Sequence, residues 1–196
     1  MILLVAAALG VILGLASGGK IRRCARYPLY GAVLPIVALL LKAGAAWLLE
    51  PQTLAETVCI LQYALVFLFL LRNARHGLWP LLAFLGAFSN FVVILLNGGC
   101  MPVAASLMGN DAARIGLLLA GKIYAYAAIT PQTVLPFLGD ILRFGPAGLP
   151  IGFASVGDIV LCAGVALLCF QMTRCGEQSQ NESAAAEPAD PKAGEA

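Results

Sequence analysis

The chain has 196 residues, of which 61% are hydrophobic and 11% charged, with a formal net charge of +2. A soluble domain carries about a quarter charged residues, so this composition, with a mean hydropathy of +0.91, leaves too few charges to coat a water-facing globule. It excludes a large soluble domain, and the lack of a long basic run excludes a nucleic-acid partner. Backbone groups in lipid must be satisfied internally, and the long apolar runs show no period-2 alternation. The expected class is therefore all-α, a polytopic transmembrane helix bundle with the lipid bilayer as its first partner.

Ile2 to Ala16 reads as the first span. No positive n-region or A-x-A-like exit marks it for cleavage, so it is expected to be retained. Gly10, Gly14 and Gly18 recur every fourth residue and form a smooth stripe, suited to a dimer face or to close packing against a helix of the same chain. Ser17 to Tyr27 is a turn carrying Lys20, Arg22, Arg23 and Arg26 without an acid, which places it in the cytoplasm. Leu29 to Leu49 is the second span, with Pro35 as an expected kink. Lys42 lies in it, about 12 Å of helix from the outer end. A charge at that depth costs about 2.5–3.5 kcal/mol unless it pairs or snorkels, and both readings stay open.

Glu50 to Thr57 is an acidic outer turn, and Leu54 to Leu71 is the third span. Arg72, Arg75 and His76 mark a second cytoplasmic turn, with His76 expected to be a solvated loop residue. Leu78 to Leu96 is the fourth span. Trp79 sits at its inner end, and Asn90 inside it needs a hydrogen-bond partner on another helix.

Residues 97–150 then form an outer cap, a Pro/Gly-rich loop containing a short interfacial helix. Asp111 to Ile129 is helical by pattern, with Asn110 as N-cap. Arg114 and Lys122 argue that it lies on the surface rather than spanning. Thr130-Pro131 is a helix-start signature, and Pro136, Pro146, Pro150, Gly139, Gly145 and Gly148 forbid a long regular element after it. Ile151 to Met172 holds the last span, anchored by Arg174. The expectation is an integral domain of about five spans over 1–172 and a disordered cytoplasmic tail over 173–196. The N-terminus is placed outside and the C-terminus in the cytoplasm.

The candidate binding residues are Asn97, Gly98, Gly99, Met101, Pro102, Asp140, Ser155, Asp158 and Lys42. Ser155-Val156-Gly157-Asp158 has the spacing of a capping box, which starts the last helix at Val156. The alternative starts it near Ile151 and buries Asp158 as a proton or cation site. A compromise has Asp158 cap the helix and pair with Lys42. Asn97-Gly98-Gly99 is a helix C-cap or an anion-binding backbone nest, and Met101-Pro102 turns the chain after it. Asp140, after Gly139, is a turn residue or a free carboxylate facing water. The six cysteines lack a C-x-x-C, and His76 is the single histidine, so neither a metal nor a cofactor is implied.

Three motifs in order carry a resemblance. They are Asn97-Gly98-Gly99-x-Met101-Pro102-Val103, then Thr130-Pro131-x-Thr133-x-Leu135-Pro136-Phe137-Leu138-Gly139-Asp140, then Ser155-x-Gly157-Asp158. Together with the Gly18 to Lys20 turn, they resemble a family of small multi-span bacterial membrane proteins, a domain of unknown function found mostly in Gram-positive bacteria. The resemblance spans roughly residues 1 to 172 and implies a multi-pass protein of the bacterial inner membrane, without implying an activity. It places a basic residue at position 100, where this chain has Cys100. No nucleophile–base pair or phosphate loop stands out, so an enzyme acting on lipid or cell-wall precursors through Asp140 or Asp158 is the weakest of three readings. The first is a non-enzymatic docking or sensing component with an ordered outer loop and a membrane-protein partner or second copy. The other is a small transporter or channel component using Lys42, Asp140 and Asp158.

Overall fold

The computed structural model describes residues 2–50, 52–108, 111–144 and 152–174. Among them are seven α-helices: α1 (Ile2–Ala16), α2 (Ile21–Cys24), α3 (Val33–Leu48), α4 (Ala55–Arg72), α5 (Trp79–Leu96), α6 (Ala112–Leu119) and α7 (Val156–Arg174). Of these, α4, α5 and α7 are long and apolar enough to cross a membrane, whereas α1 and α3 are shorter apolar helices.

The long helices pack in the order α1, α7, α5, α4, α3. Glycine sets the spacing at the centre of that row. A methyl group on Gly10 or Gly14 of α1 would strike Ala166, Phe170 or Thr173 of α7. A methyl group on Gly86 of α5, or on Gly157 or Gly164 of α7, would strike the facing helix or the Asn90 side chain. The glycine stripe of α1 is therefore a contact within the chain, as small-xxx-small packing allows. Gly18 stands apart from it, at φ +88 with open space around it, and ends the helix. Pro35 falls in the first turn of α3, where no intrahelical N–H is required, so the expected kink is absent from that position.

The contacts also fix direction. Gly10 meets Ala166 and Gly14 meets Thr173, so α1 and α7 run parallel. Ala83 meets Gly164 and Asn90 meets Gly157, so α5 runs against α7. The turns after α1 and α4 and the C-terminus of α7 thus gather at one end. There Lys20 N–H donates to Thr173 O at 2.9 Å. Asn73 is wholly buried at that end, exchanging hydrogen bonds with the backbone of Tyr30 at 2.8 and 3.0 Å. His76 is not a free loop side chain. Its ring stacks on Tyr30 at 5.5 Å, meets Tyr27 edge-on at 5.8 Å, and lies 3.2 Å from Asn73 Oδ1. Trp79 Nε1 donates to Tyr27 Oη at 3.1 Å, which closes the basic end.

The other end carries the cap, which is not purely helical. The strand β1 (Met101–Val103) pairs in parallel with β2 (Tyr126–Ala128), and β3 (Leu142–Phe144) pairs antiparallel with β4 (Gly152–Ala154). Such three-residue strands leave no readable alternation in the sequence. The helix expected over Asp111 to Ile129 stops at Leu119, because Gly121 takes φ +64 and sends its N–H back to Leu118 O. Asp111, not Asn110, accepts from the first turn of α6, and Asn110 lies outside the described residues. Thr130-Pro131 starts no helix. Thr130 and Thr133 close a hydroxyl turn, which leads through Leu135 at φ +51 into a 3-10 turn at Pro136–Leu138. Gly145, Pro146, Gly148, Pro150 and the tail over 175–196 lie outside the described residues, while Thr173 and Arg174 belong to α7.

Candidate functional site

The motif residues of the cap divide into those that hold it together and one that is left open. Asn97, Gly98 and Gly99 end α5 with Gly98 N–H to Leu95 O at 3.2 Å and Gly99 N–H to Ile94 O at 2.9 Å. Gly99 at φ +82 lies so close to Ala55 and Glu56 that a side chain has no room. The Asn97 amide clamps Val134, donating to its carbonyl at 2.9 Å and accepting from its N–H at 3.0 Å. The N–H groups of Gly98, Gly99 and Cys100 are all engaged within the chain, which leaves an anion nest nothing to donate. Gln52, which sequence reasoning passed over, ties the α3–α4 turn to the cap through Tyr126 O at 3.1 Å and accepts from Cys100 Sγ. Gln52, Leu54, Ala125 and Leu135 are the non-glycine residues at positive φ among the described residues, and all four lie at this end.

Ser155 and Asp158 close the capping box. Asp158 N–H donates to Ser155 Oγ at 2.9 Å, and Ser155 N–H donates to Asp158 Oδ2 at 3.0 Å. Asn90 completes it from α5, donating to Asp158 Oδ1 at 2.8 Å and accepting from Ser155 Oγ at 2.7 Å. The partner that Asn90 requires is thus the cap of α7, and β4 ends at Ala154, which excludes a helix start near Ile151. Each oxygen of Asp158 accepts from one of these donors, and among the described residues Lys42 makes no direct ion pair with it. Lys42 Nζ lies instead over the Tyr126 ring, 5.6 Å from its centroid.

Asp140 is the open residue. Met101 and Pro102 hold it from below: Met101 packs against Cys59, Val93 and Ile94, and Pro102 O accepts from Asp140 N–H at 2.8 Å. Asp140 O accepts in turn from Ala104 N–H at 3.1 Å. A side chain on Gly139 would collide with Pro102 O, so glycine there lets the two segments meet. The backbone of Asp140 is therefore locked, but its carboxyl is not. The residue is 7% exposed, and Oδ1 is fully buried without a hydrogen-bond partner. It lines a cavity of about 350 Å³ together with Ile2, Val103, Met108, Arg114, Tyr126 and Phe153, among others. Arg114 stands over the Phe153 ring at 5.7 Å. Burial, and then the charge of Asp158, push the Asp140 carboxyl from its ordinary 3.8 up to about 7, against the opposing pull of Lys42. Tyr126 is raised chiefly by burial and then by Asp140 and Asp158, so its hydroxyl stays a neutral donor.

Fold and site together define a helical protein with helices able to cross a membrane and a folded cap in which Asp140 lines a cavity and its buried Oδ1 has no hydrogen-bond partner. The chain belongs to a family of unknown function (DUF5317), whose model matches residues 26–170. That match leaves out α1 and the Gly18 to Lys20 turn. No curated protein and no solved structure matches the chain.

Proposed function

We propose that this is a five-span protein of the bacterial inner membrane that senses a small ligand in its extracytoplasmic cap, without catalysing a reaction. The observation that carries the reading is the buried, unpartnered Asp140 carboxylate in a cavity of about 350 Å³, a size at which small-molecule sites begin. A buried carboxylate left unsatisfied is costly, and a bound donor removes the cost. In this account α1, α3, α4, α5 and α7 all cross. Exposed apolar side chains on the two short helices support it, among them Leu4, Ile12, Ile36 and Leu40. Trp47, 86% exposed near the capped end of α3, suits an interface. The bilayer accommodates the short helices by local thinning. Lys20, Arg22, Arg26, Arg72 and Arg75 meet the cytoplasm at the opposite end, and a membrane-protein partner or a second copy receives the signal.

Two experiments test this reading. For topology, a single cysteine at Thr130 in an otherwise cysteine-free chain reacts with an impermeant maleimide in intact cells, and one at Arg75 reacts only after permeabilisation. The reverse pattern contradicts the orientation. For function, native mass spectrometry straight from membrane vesicles shows one small molecule or lipid bound, and Asp140→Asn loses it. A bare chain in both cases contradicts the sensing reading. A transporter component is the second reading, favoured by the coupling of Asp140 to Lys42 beneath it. It is weakened by the role of Asp158 in capping α7, where each carboxylate oxygen already accepts a hydrogen bond.

A further inference from the structure

The lining of the Asp140 cavity also specifies what kind of ligand it takes. Among the described lining residues, Asp140 is the one acid and Arg114 the one base. Asp140 lines the cavity with a carboxyl whose buried Oδ1 finds no donor in the protein, so the group favours an N–H or O–H from a ligand, and a cationic donor makes the strongest bond with a carboxylate. A bare metal ion is a poor match, because a hard cation needs several oxygen ligands and the walls here are Val103, Met108, Leu118 and Phe153. Arg114 supplies the opposite need. Its guanidinium rests on the Phe153 ring and offers donors to an anion. Tyr126 is on the same lining, and its neutral hydroxyl is a further donor for such an anion. A third feature concerns entry. Ile2, at the start of α1, forms part of the wall, and the neighbouring Leu3, Leu4 and Val5 are exposed apolar side chains. The cavity therefore adjoins an apolar surface.

We infer that this cavity, read as a ligand site in the sense proposed above, binds a primary ammonium joined by a short linker to an anionic group. The ammonium is held by Asp140 and the anion by Arg114 and Tyr126. Two sources have this chemistry: the head group of an aminophospholipid, and a soluble zwitterion such as phosphoethanolamine. The wall formed by Ile2 favours the lipid, whose acyl chains leave along α1.

The test uses the full chain in nanodiscs of equal phosphatidylethanolamine, phosphatidylcholine and phosphatidylglycerol, read by native mass spectrometry. The expected result is one retained phosphatidylethanolamine, preferred over phosphatidylcholine by roughly tenfold, the factor that a single charge-assisted contact provides. Asp140→Asn and Arg114→Gln each remove the preference, while both variants keep the parent's melting behaviour at low pH. Displacement of the lipid by millimolar phosphoethanolamine supports the shared chemistry and assigns it to a soluble source. Equal retention of all three lipids overturns the inference, and so does an Arg114→Gln variant that binds like the parent. Either of those outcomes leaves the sensing reading standing if Asp140→Asn still loses a bound molecule from native vesicles. If nothing is retained from nanodiscs or native vesicles, both the inference and the reading beneath it fall.

Discussion

Asp140→Asn abolishes a loss of stability that the parent protein suffers between pH 5 and pH 8. In the folded chain the Asp140 carboxyl titrates at about 7 instead of 3.8. Between those values the folded state holds a proton that the unfolded chain has released, so stability falls as pH rises through the window and levels off above 7. A shift of about three units corresponds to on the order of 4 kcal/mol at most, since each unit is worth about 1.4 kcal/mol. The groups that set the shift are Asp158 from α7, which raises it, and Lys42 from α3, which lowers it; Arg114 and Tyr126 share the cavity. An asparagine keeps the size of the side chain and removes the charge. Thermal unfolding in detergent at pH 5, 6, 7 and 8 reads the difference directly, and comparison with the parent cancels the other titrating groups. The parent melts several degrees lower at pH 8 than the variant comparison at pH 5 leads one to expect, whereas the asparagine chain does not. Parallel pH profiles for the two chains contradict this.

The second large effect is at the α5–α7 seam. A methyl group on Gly164 would stand 2.6 Å from Ala83 N and 3.0 Å from Trp79 O, both backbone atoms that cannot swing away. Gly164→Leu therefore forces the helices apart, and overpacking of this kind costs about 1–3 kcal/mol and sometimes more. The seam also carries the bonds from Asn90 to Asp158 and Ser155, so the capping of α7 goes with it. The expected result is failure to yield a monodisperse folded protein, or a melting point far below that of the parent. Gly44 is the control. Nothing lies within 4 Å of a methyl group there, and Gly44→Ala within α3 is neutral or stabilising by up to about 1 kcal/mol. Equal effects at the two glycines would remove the close approach from the account.

What could be read from the sequence follows the length of the signal. The helix from Ile2 to Ala16 and those ending at Arg72, Leu96 and Arg174 rest on long apolar runs, and their observed bounds lie within a few residues of expectation. The capping box was legible because Ser155 and Asp158 lie close together in sequence, as were the glycines that end α5. The cap was not legible as a fold, because it is made of short pieces joined across distance. Met101 pairs with Tyr126, and the Pro102 carbonyl that positions Asp140 comes from β1, far away in sequence. Gly121 was the available signal that α6 stops early. Arg114 read as a charge unsuited to lipid, and its place on a cavity wall depends on Phe153, which reaches it only in the folded chain. His76 and Asn73 were missed for the same reason, since their partners Tyr27 and Tyr30 lie on a different turn.

The central claim is that Asp140 lines a partly open cavity with a buried carboxyl whose Oδ1 has no hydrogen-bond partner. Infrared titration of the full chain in nanodiscs of phosphatidylcholine alone, which offer no primary ammonium, tests it most directly, with Asp140→Asn subtracted to isolate one protonated carboxyl stretch. The account predicts a band, absent from the variant, that loses half its intensity near pH 7. A band that titrates near the ordinary value of 3.8 would mean that the carboxyl is hydrated or paired, and would contradict it.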